Sequence, residues 1–256
     1  MNLVALPAFT DNYVWMLHDG HRAVVVDPGE ASPVEAALDS LGLELQAILV
    51  THHHPDHVGG IERLRTRLRG PVHGPARERI PSPFEPRHEG DVFEALGVRF
   101  EVLEVPGHTA GHIAYLSRDA GPDPLLFCGD TLFSAGCGRL FEGTAAQLHA
   151  SLERLAALPG RTRVCCTHEY TLSNLRFACA VEPANADAAD HLQHCQRLRE
   201  QGAITLPSSI ERERLINPFL RCAEPAVVTA ARREGAADDS PVAVFAALRE
   251  WKNRFR

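Results

Sequence analysis

Thr51-His52-His53-His54-Pro55-Asp56-His57 is the stretch on which the reading of this chain turns. Its side chains His52, His54, Asp56 and His57 are all metal-ligand types. The run before it, Leu45 to Val50 (Leu-Gln-Ala-Ile-Leu-Val), is apolar and β-branched enough to be a buried strand. The motif therefore falls where a strand runs out into a loop, a usual place for a site held by a rigid scaffold. Side chains two apart in extended chain project to the same side, so His52 and His54 can grip one ion. The turn forced by Pro55 re-aims the chain and lets Asp56 and His57 face a second. His53, between the pair, is expected to point away and not to be a ligand. A histidine-rich surface loop or a tag remnant is the bland alternative. Tags are terminal and monotonous, and this run is internal and carries an Asp.

Three more stretches offer the same ligand types. They are Pro106-Gly107-His108-Thr109-Ala110-Gly111-His112, Phe127-Cys128-Gly129-Asp130-Thr131 and Cys166-Thr167-His168-Glu169-Tyr170. Each follows an apolar run that reads as a strand (Val102–Val105, Leu125–Cys128, Val164–Cys166). Ligands at four strand ends make a site. Ligation by nitrogen and oxygen without thiolate suits zinc, with iron or manganese left open. Cys128 and Cys166 neighbour these ligands, but strand alternation makes them core residues. Two ions roughly 3.5–4 Å apart can hold a water between them and lower its pKa toward neutrality. A bridging hydroxide would then be the nucleophile. The sequence has no Gly-x-Ser-x-Gly elbow to supply a serine instead.

The order His-x-His-x-Asp-His, then His, Asp and His, resembles the signature of the metallo-β-lactamase superfamily. The resemblance implies an α+β protein: a metallo-β-lactamase-like αββα sandwich over residues 1–168, then a small all-helical C-terminal domain over 169–256. It implies two divalent ions. His52, His54 and His108 would hold the first, Asp56, His57 and His168 the second, and Asp130 would bridge them. Asp130 and Asp56 would be the catalytic side chains, and His112 a hydrogen-bonded neighbour of the first ion.

Superfamily membership alone does not settle activity. Thr10-Asp11-Asn12-Tyr13-Val14-Trp15, the stretch from Gly136 to Thr144, and the tail from Ala247 to Phe255 resemble glyoxalase II, the hydroxyacylglutathione hydrolases. Glu182-Pro183 and Ile216-Asn217-Pro218-Phe219-Leu220-Arg221 extend the resemblance along the whole chain. It implies a thioester hydrolase (EC 3.1.2.6) that converts S-D-lactoylglutathione and water to glutathione and D-lactate, the second step of methylglyoxal detoxification. Arg139, Phe141, Tyr170, Arg249 and Lys252 would bind the glutathione. Arg249 and Lys252 are three apart and share a helix face. Phe141 stands where the family can carry a tyrosine, so a hydroxyl is missing there. Two other readings are a glutathione persulfide dioxygenase with a single iron, and a superfamily nuclease. The intact set Asp56, His57 and His168 and the helical tail argue against the first.

Bulk properties agree. Net charge is −7, from 26 basic and 33 acidic residues, which argues against nucleic acid as a partner. Of the basic residues only Lys252 is a lysine. The seven cysteines form no Cys-x-x-Cys pair, as suits reduced thiols in a cytoplasm. No basic, apolar leader opens the chain and no run is long enough to span a bilayer. A cytoplasmic monomer without nucleic-acid or membrane partners is the expectation.

The periodicity predicts strands over Leu3–Phe9, Tyr13–Leu17, Ala23–Val26, Val98–Val105 and Ile113–Leu116 besides those above. It predicts a helix capped by Ser32, another over Gly59–Leu68, and one over Thr144–Leu158. Beyond about residue 170 it predicts helices over Leu172–Val181, Ala186–Gln201, Ala226–Glu234 and Pro241–Phe255. Ser208–Leu220 stays ambiguous.

Overall fold

The structure is a computed structural model and describes residues 1–255. The chain divides into two compact units. The first comprises Met1–Val105, Ala110–Gly129 and Cys165–His168. The second comprises Pro106–Thr109, Asp130–Val164 and the chain from Glu169 on.

The first unit is built on a six-stranded sheet: β1 (Asn2–Ala8), β2 (Asn12–His18), β3 (Arg22–Val26), β4 (Glu44–Leu49), β5 (Val72–Pro75) and β6 (Glu85–Arg87), in that spatial order. β1, β2 and β3 are antiparallel neighbours, while β3, β4, β5 and β6 run parallel. A second sheet contains β7 (Val92–Ala95), β8 (Val98–Glu104), β9 (Ile113–Ser117), β10 (Leu125–Gly129) and β13 (Arg163–Cys166), in the order β13-β10-β9-β8-β7. Between β10 and β13 the chain forms the small hairpin β11 (Leu132–Phe133) and β12 (Gly136–Cys137).

Strand alternation decides what each face of the first sheet covers. Val14, Met16, Val25, Ile48 and Val72 pack with Val34 and Leu38 of helix α1 (Ser32–Leu41) in one buried cluster. The opposite face meets the second sheet: Trp15 Nε1 donates to the Cys166 carbonyl at 2.9 Å, and Tyr115 Oη donates to the Val50 carbonyl at 2.9 Å. Helix, sheet and sheet are thus three stacked layers in this unit.

Two expectations change. Ser32 lies inside α1, whose N-cap is Ala31 without a side-chain bond. The helix expected over Gly59–Leu68 is confined to α3 (Ile61–Leu64), and a separate short helix, α2 (Pro55–Val58), precedes it. Gly60 explains the break: its N–H donates to the Pro28 carbonyl at 2.8 Å, and a Cβ there would lie 2.6 Å from that oxygen. Backbone packing overrides helical periodicity. The short strands β5, β6 and β7 carried no sequence expectation at all.

The second unit is mostly helical: α4 (Ala145–Ala156), α5 (Thr171–Val181), α6 (Ala186–Glu200), α7 (Ile210–Ile216), α8 (Pro225–Arg233) and α9 (Pro241–Arg254). Thr144 caps α4 in a reciprocal capping box with Gln147. The ambiguous Ser208–Leu220 segment resolves into the two-residue strand β14 (Ser208–Ser209), α7, and a 3₁₀ turn at Pro218–Leu220. Phe177 anchors the core, with Phe219, Trp251 and Phe255 rings at 5.9, 5.1 and 5.2 Å.

The Glu182 and Arg221 motifs meet here. Arg221 Nε and Nη2 donate to the two carboxylate oxygens of Glu182 at 2.7 and 3.0 Å. The Glu182 hydrogen bond raises the Arg221 pKa further. Bidentate, part-buried pairs of this kind are worth more than surface pairs. Glu182→Ala is expected to destabilise the protein by about 1.5–3 kcal/mol, read as a lower urea midpoint; an unchanged midpoint would show the pair to be inert.

Candidate metal centre

Parallel strands that end together bring their following residues to one sheet edge. β3 and β4 are in register at Val26 and Leu49. Asp27 therefore follows β3 beside Thr51 and His52, which follow β4. Asp27 takes φ +53°, a region that L side chains seldom adopt. In that pose its carboxylate accepts the Thr51 N–H at 2.8 Å and the Thr51 hydroxyl at 2.7 Å. The same carboxylate lies 3.1 Å from His57 Nδ1. Ile113 N–H donates to the Thr51 carbonyl at 3.0 Å, fixing the start of the histidine loop from the second sheet.

Within the first unit, His52, His54, Asp56, His57 and His168 come together. His52 Nε2 and His54 Nδ1 are 3.0 Å apart. His57 Nε2 and His168 Nε2 lie 3.6 and 3.4 Å from Asp56 Oδ2. His52, His57 and His168 are buried, while the Asp56 side chain is more open. Asn12 Nδ2 donates to Asp56 Oδ2 at 3.1 Å. His168 Nδ1 lies 2.9 Å from Asp11 Oδ1.

The second unit holds the other two expected ligands. His108 Nε2 is 3.5 Å from Asp130 Oδ2, and both residues are buried. His108 Nδ1 donates to the Arg139 carbonyl at 2.9 Å. Gly138 makes this approach possible, because a Cβ there would sit 1.9 Å from the Asp130 carbonyl oxygen.

These donor sets fit divalent ions. Donors on a tetrahedron with bonds of about 2.0–2.1 Å stand about 3.3–3.4 Å apart. The spacings of 3.4–3.6 Å match that and exceed a good hydrogen bond. Four of the five imidazoles also have a partner beside their second nitrogen: His52 has Thr51, His57 has Asp27, His168 has Asp11 and His108 has the Arg139 carbonyl. Such partners fix tautomer and ring orientation in metal sites. Asp11, Asn12, Asp27 and Thr51 were not singled out as functional in the sequence. Asp11-Asn12 did lie in a recognised stretch, and Asp27 closes an apolar strand; those were the available signals.

His53 turns its ring to Glu78, with Nδ1 2.8 Å from Oε2. Glu78 also accepts the His53 N–H at 2.6 Å and the Gly111 N–H at 3.1 Å, so it ties the two histidine loops together. His112 stacks on His52 with centroids 4.6 Å apart.

The expected substrate residues lie in the second unit. Arg139 and Phe141 are exposed, and Phe141 meets the His108 ring edge-on at 5.2 Å. Tyr170 is exposed and packs edge-on to Phe133 at 5.4 Å. Lys252 Nζ donates to the Ser173 carbonyl and hydroxyl at 3.0 and 3.1 Å. Arg249 differs from its neighbour on α9: it is 5% exposed, and its Nη1 donates to the Cys137 carbonyl at 2.9 Å.

Fold and donor chemistry together define a metal-binding protein of the metallo-β-lactamase fold. Residues 8–168 match the family model of the metallo-beta-lactamase superfamily, and residues 169–255 match that of the hydroxyacylglutathione hydrolase C-terminus. Relatives named hydroxyacylglutathione hydrolase include those of Albidiferax ferrireducens (58% identical, 100% of both chains) and Ectopseudomonas mendocina (57%, 98% of both chains). Among solved structures, ETHE1 from Myxococcus xanthus aligns with TM-score 0.66 at 25% identity over 100% of both chains. A protein solved in a di-iron-bound form aligns with TM-score 0.59 at 27% identity, over 86% of this chain and 100% of that one. The chain belongs to the hydroxyacylglutathione hydrolase family of the metallo-β-lactamase superfamily. The α+β fold read from the sequence, with its helical C-terminal region, is the one found. Among the described residues no helix is long and apolar enough to cross a membrane.

The partners of the imidazoles make a measurable contribution. Asp11→Asn removes the carboxylate behind His168 and leaves the ring in place. It is expected to weaken divalent metal affinity about 10–100-fold, read by chelator competition on folded protein; affinity equal to wild type would remove Asp11 from the centre.

Proposed function

We propose that this protein hydrolyses S-D-lactoylglutathione to glutathione and D-lactate, using two divalent ions, zinc first among the candidates. The observation that carries the reading is the set of oriented imidazoles and carboxylates in a chain of this family. His52, His54 and His108 are assigned to one ion, Asp56, His57 and His168 to the other, and Asp130 to both. Bound there, the ions supply Lewis acidity that polarises the thioester carbonyl and makes water nucleophilic near neutral pH.

The chain's own residues do the rest. Asp130 and Asp56 hold and orient the reacting water, with Asn12 steadying Asp56. Asp27, Asp11 and Thr51 keep the ring nitrogens aimed. The leaving group departs as a thiolate, whose conjugate thiol has a pKa of about 8.5, so no strong general acid is needed.

Residues 1–168 are assigned to catalysis and 169–256 to a helical domain that helps to bind glutathione; the two family models meet at this boundary. Arg139, Phe141, Tyr170 and Lys252 are assigned to contacts with the peptide. Arg249 is assigned to the same subsite through the loop carbonyls that it grips. All seven cysteines are free thiols, which supports a cytoplasmic location.

Asp130→Ala is expected to lower kcat by orders of magnitude and to reduce bound metal. Elemental analysis of fully loaded wild type is expected to give two ions per chain. A single ion, or no thioester hydrolysis by the loaded protein, contradicts the assignment; oxygen uptake with glutathione persulfide would favour the dioxygenase instead.

Lys252 offers a pH signature. Burial, and then the Arg249 charge, pull its pKa down from 10.5 to about 8. A lysine loses its positive charge as pH rises through its pKa, and with it the attraction for a carboxylate. KM for S-D-lactoylglutathione is therefore expected to rise as pH passes about 8, and to be flat there in Lys252→Met. Identical KM–pH profiles for the two proteins would exclude Lys252 from binding.

A further inference from the structure

Between Asp130 and Arg139 the chain makes a hairpin that is wholly buried. Every residue from Thr131 to Cys137 lies out of solvent, and Arg139 is the first exposed residue after them. A buried turn must have its backbone polar groups satisfied by something other than water. Here that work falls to buried side chains of the helical segments: Asn174, Glu213 and Asn217 on the turn itself, and Arg249 on the Cys137 and Gly138 carbonyls at its exit. Asn217 Nδ2 donates to the Phe133 and Gly136 carbonyls at 3.2 and 2.9 Å. Asn174 Nδ2 donates to the Ser134 carbonyl at 3.0 Å. Glu213 Oε2 accepts the Ala135 N–H at 2.7 Å and the Asn217 amide at 3.0 Å. Ala135 takes φ +53°, so this turn needs its outside partners to persist.

Glu213 is a fully buried carboxylate with no cation among the partners that hold it. Its other oxygen accepts the Ser208 hydroxyl. Burial pushes its pKa up, and the donors from Ser208, Ala135 and Asn217 oppose that. A buried carboxyl is costly unless its oxygens are hydrogen-bonded, and here three donors meet them. What it secures is one turn, eight residues long from Thr131 to Gly138, with Arg139 at its exit.

We propose that Glu213, acting with Asn217 and Asn174, is a positioning residue for substrate recognition: it fixes the Leu132–Cys137 hairpin so that the Arg139 guanidinium is presented to the carboxylates of the glutathione moiety. The proposal rests on the assignment of Arg139 as a glutathione contact. Asp130 stands at the other end of the hairpin, directly after strand β10. Beyond the turn, the Phe141 and Glu142 N–H groups donate to the His108 carbonyl at 3.2 and 3.4 Å and keep the Arg139 carbonyl beside His108 Nδ1, so the network is proposed to act on binding of the peptide and not on metal loading.

The test compares Glu213→Leu, Glu213→Gln, Arg139→Ala and the double variant Glu213→Leu/Arg139→Ala in metal-loaded enzyme. Two substrates are used, S-D-lactoylglutathione and the D-lactoyl thioester of N-acetylcysteamine, which lacks the peptide carboxylates. A misplaced Arg139 can lose no more than its own contact. Glu213→Leu should therefore raise KM for the glutathione thioester toward, and not beyond, the roughly ten- to hundredfold expected for Arg139→Ala. The double variant should match Arg139→Ala, because the two changes remove one interaction. KM for the carboxylate-free thioester, kcat and metal content should stay within about threefold of wild type. Glu213→Gln should stay close to wild type. Its carbonyl oxygen can accept from Ala135 and Asn217, while its amide donates to Ser208 Oγ. If Glu213→Leu does not fold, Asn174→Ala decides in its place, since it removes one bond to the turn and leaves the carboxylate.

Equal losses on both thioesters, loss of metal, or a double variant clearly worse than Arg139→Ala would overturn the proposal and make Glu213 a general scaffold residue. So would a Glu213→Leu variant with unchanged KM beside a weakened Arg139→Ala. If Arg139→Ala itself leaves KM unchanged, the assignment of Arg139 fails, and the proposal falls with it for a separately visible reason.

Discussion

Asp27 carries a constraint on which the first unit's donor geometry depends. An imidazole that ligates through one nitrogen must have its other nitrogen held, or the ring turns. Asp27 meets that need for His57, and through the Thr51 hydroxyl it reaches His52 as well. Its backbone sits in a left-handed conformation, which costs about 1 kcal/mol or more for such a residue. Two hydrogen bonds from Thr51 to the carboxylate, each worth about 1.5–3 kcal/mol when one partner is charged, offset that cost. Strand register does the remaining work, since β3 and β4 end side by side only because they run parallel.

The residues of the proposed donor set stand out in the sequence, and most of the groups that support them do not. His52, His54, Asp56 and His57 crowd one loop after an apolar run, so local spacing exposes them. Asp27 closes an apolar strand and Glu78 stands in a loop, and neither belongs to a cluster of ligand types. Only the parallel arrangement of β3, β4 and β5 brings the residues that follow those strands to one edge. The strands Val72–Pro75 and Glu85–Arg87 escaped for a related reason. They contain Gly and Pro, and their pairing is made by distant partners. Helices were read well where apolar spacing was sustained, as in α4 and α9, and badly at Gly59-Gly60, where backbone contact with Pro28 decides the path.

Arg249 shows the same limit in another form. Helical spacing puts it on one face with Lys252, and the sequence treats the two as equivalent cations. The structure separates them by burial. Arg249 directs its guanidinium to the Cys137 and Gly138 carbonyls and lies 5.2 Å from the Phe219 ring. Lys252 keeps part of its surface and a readily lost proton. A guanidinium is suited to the first task because it is planar, multiply donating and weakly hydrated. An ammonium is suited to the second, because a point charge on a flexible stem can meet a carboxylate without fixed geometry.

Charge and leaving-group chemistry then explain why so much buried polarity is devoted to one hairpin. The protein is acidic overall, and its proposed substrate carries carboxylates of its own. Long-range repulsion therefore works against binding, and recognition has to come from cations held close. In the proposed reaction the thiolate leaves without a strong acid to protonate it. The helical segments need supply no proton, and their polar side chains are available for another use. Asn174, Glu213, Asn217 and Arg249 all point to backbone groups between Phe133 and Gly138. A cation presented by a stiff turn loses less entropy on binding than one on a mobile loop. Under the proposed reading, a rigid hairpin is one means by which an acidic chain can hold an anionic peptide.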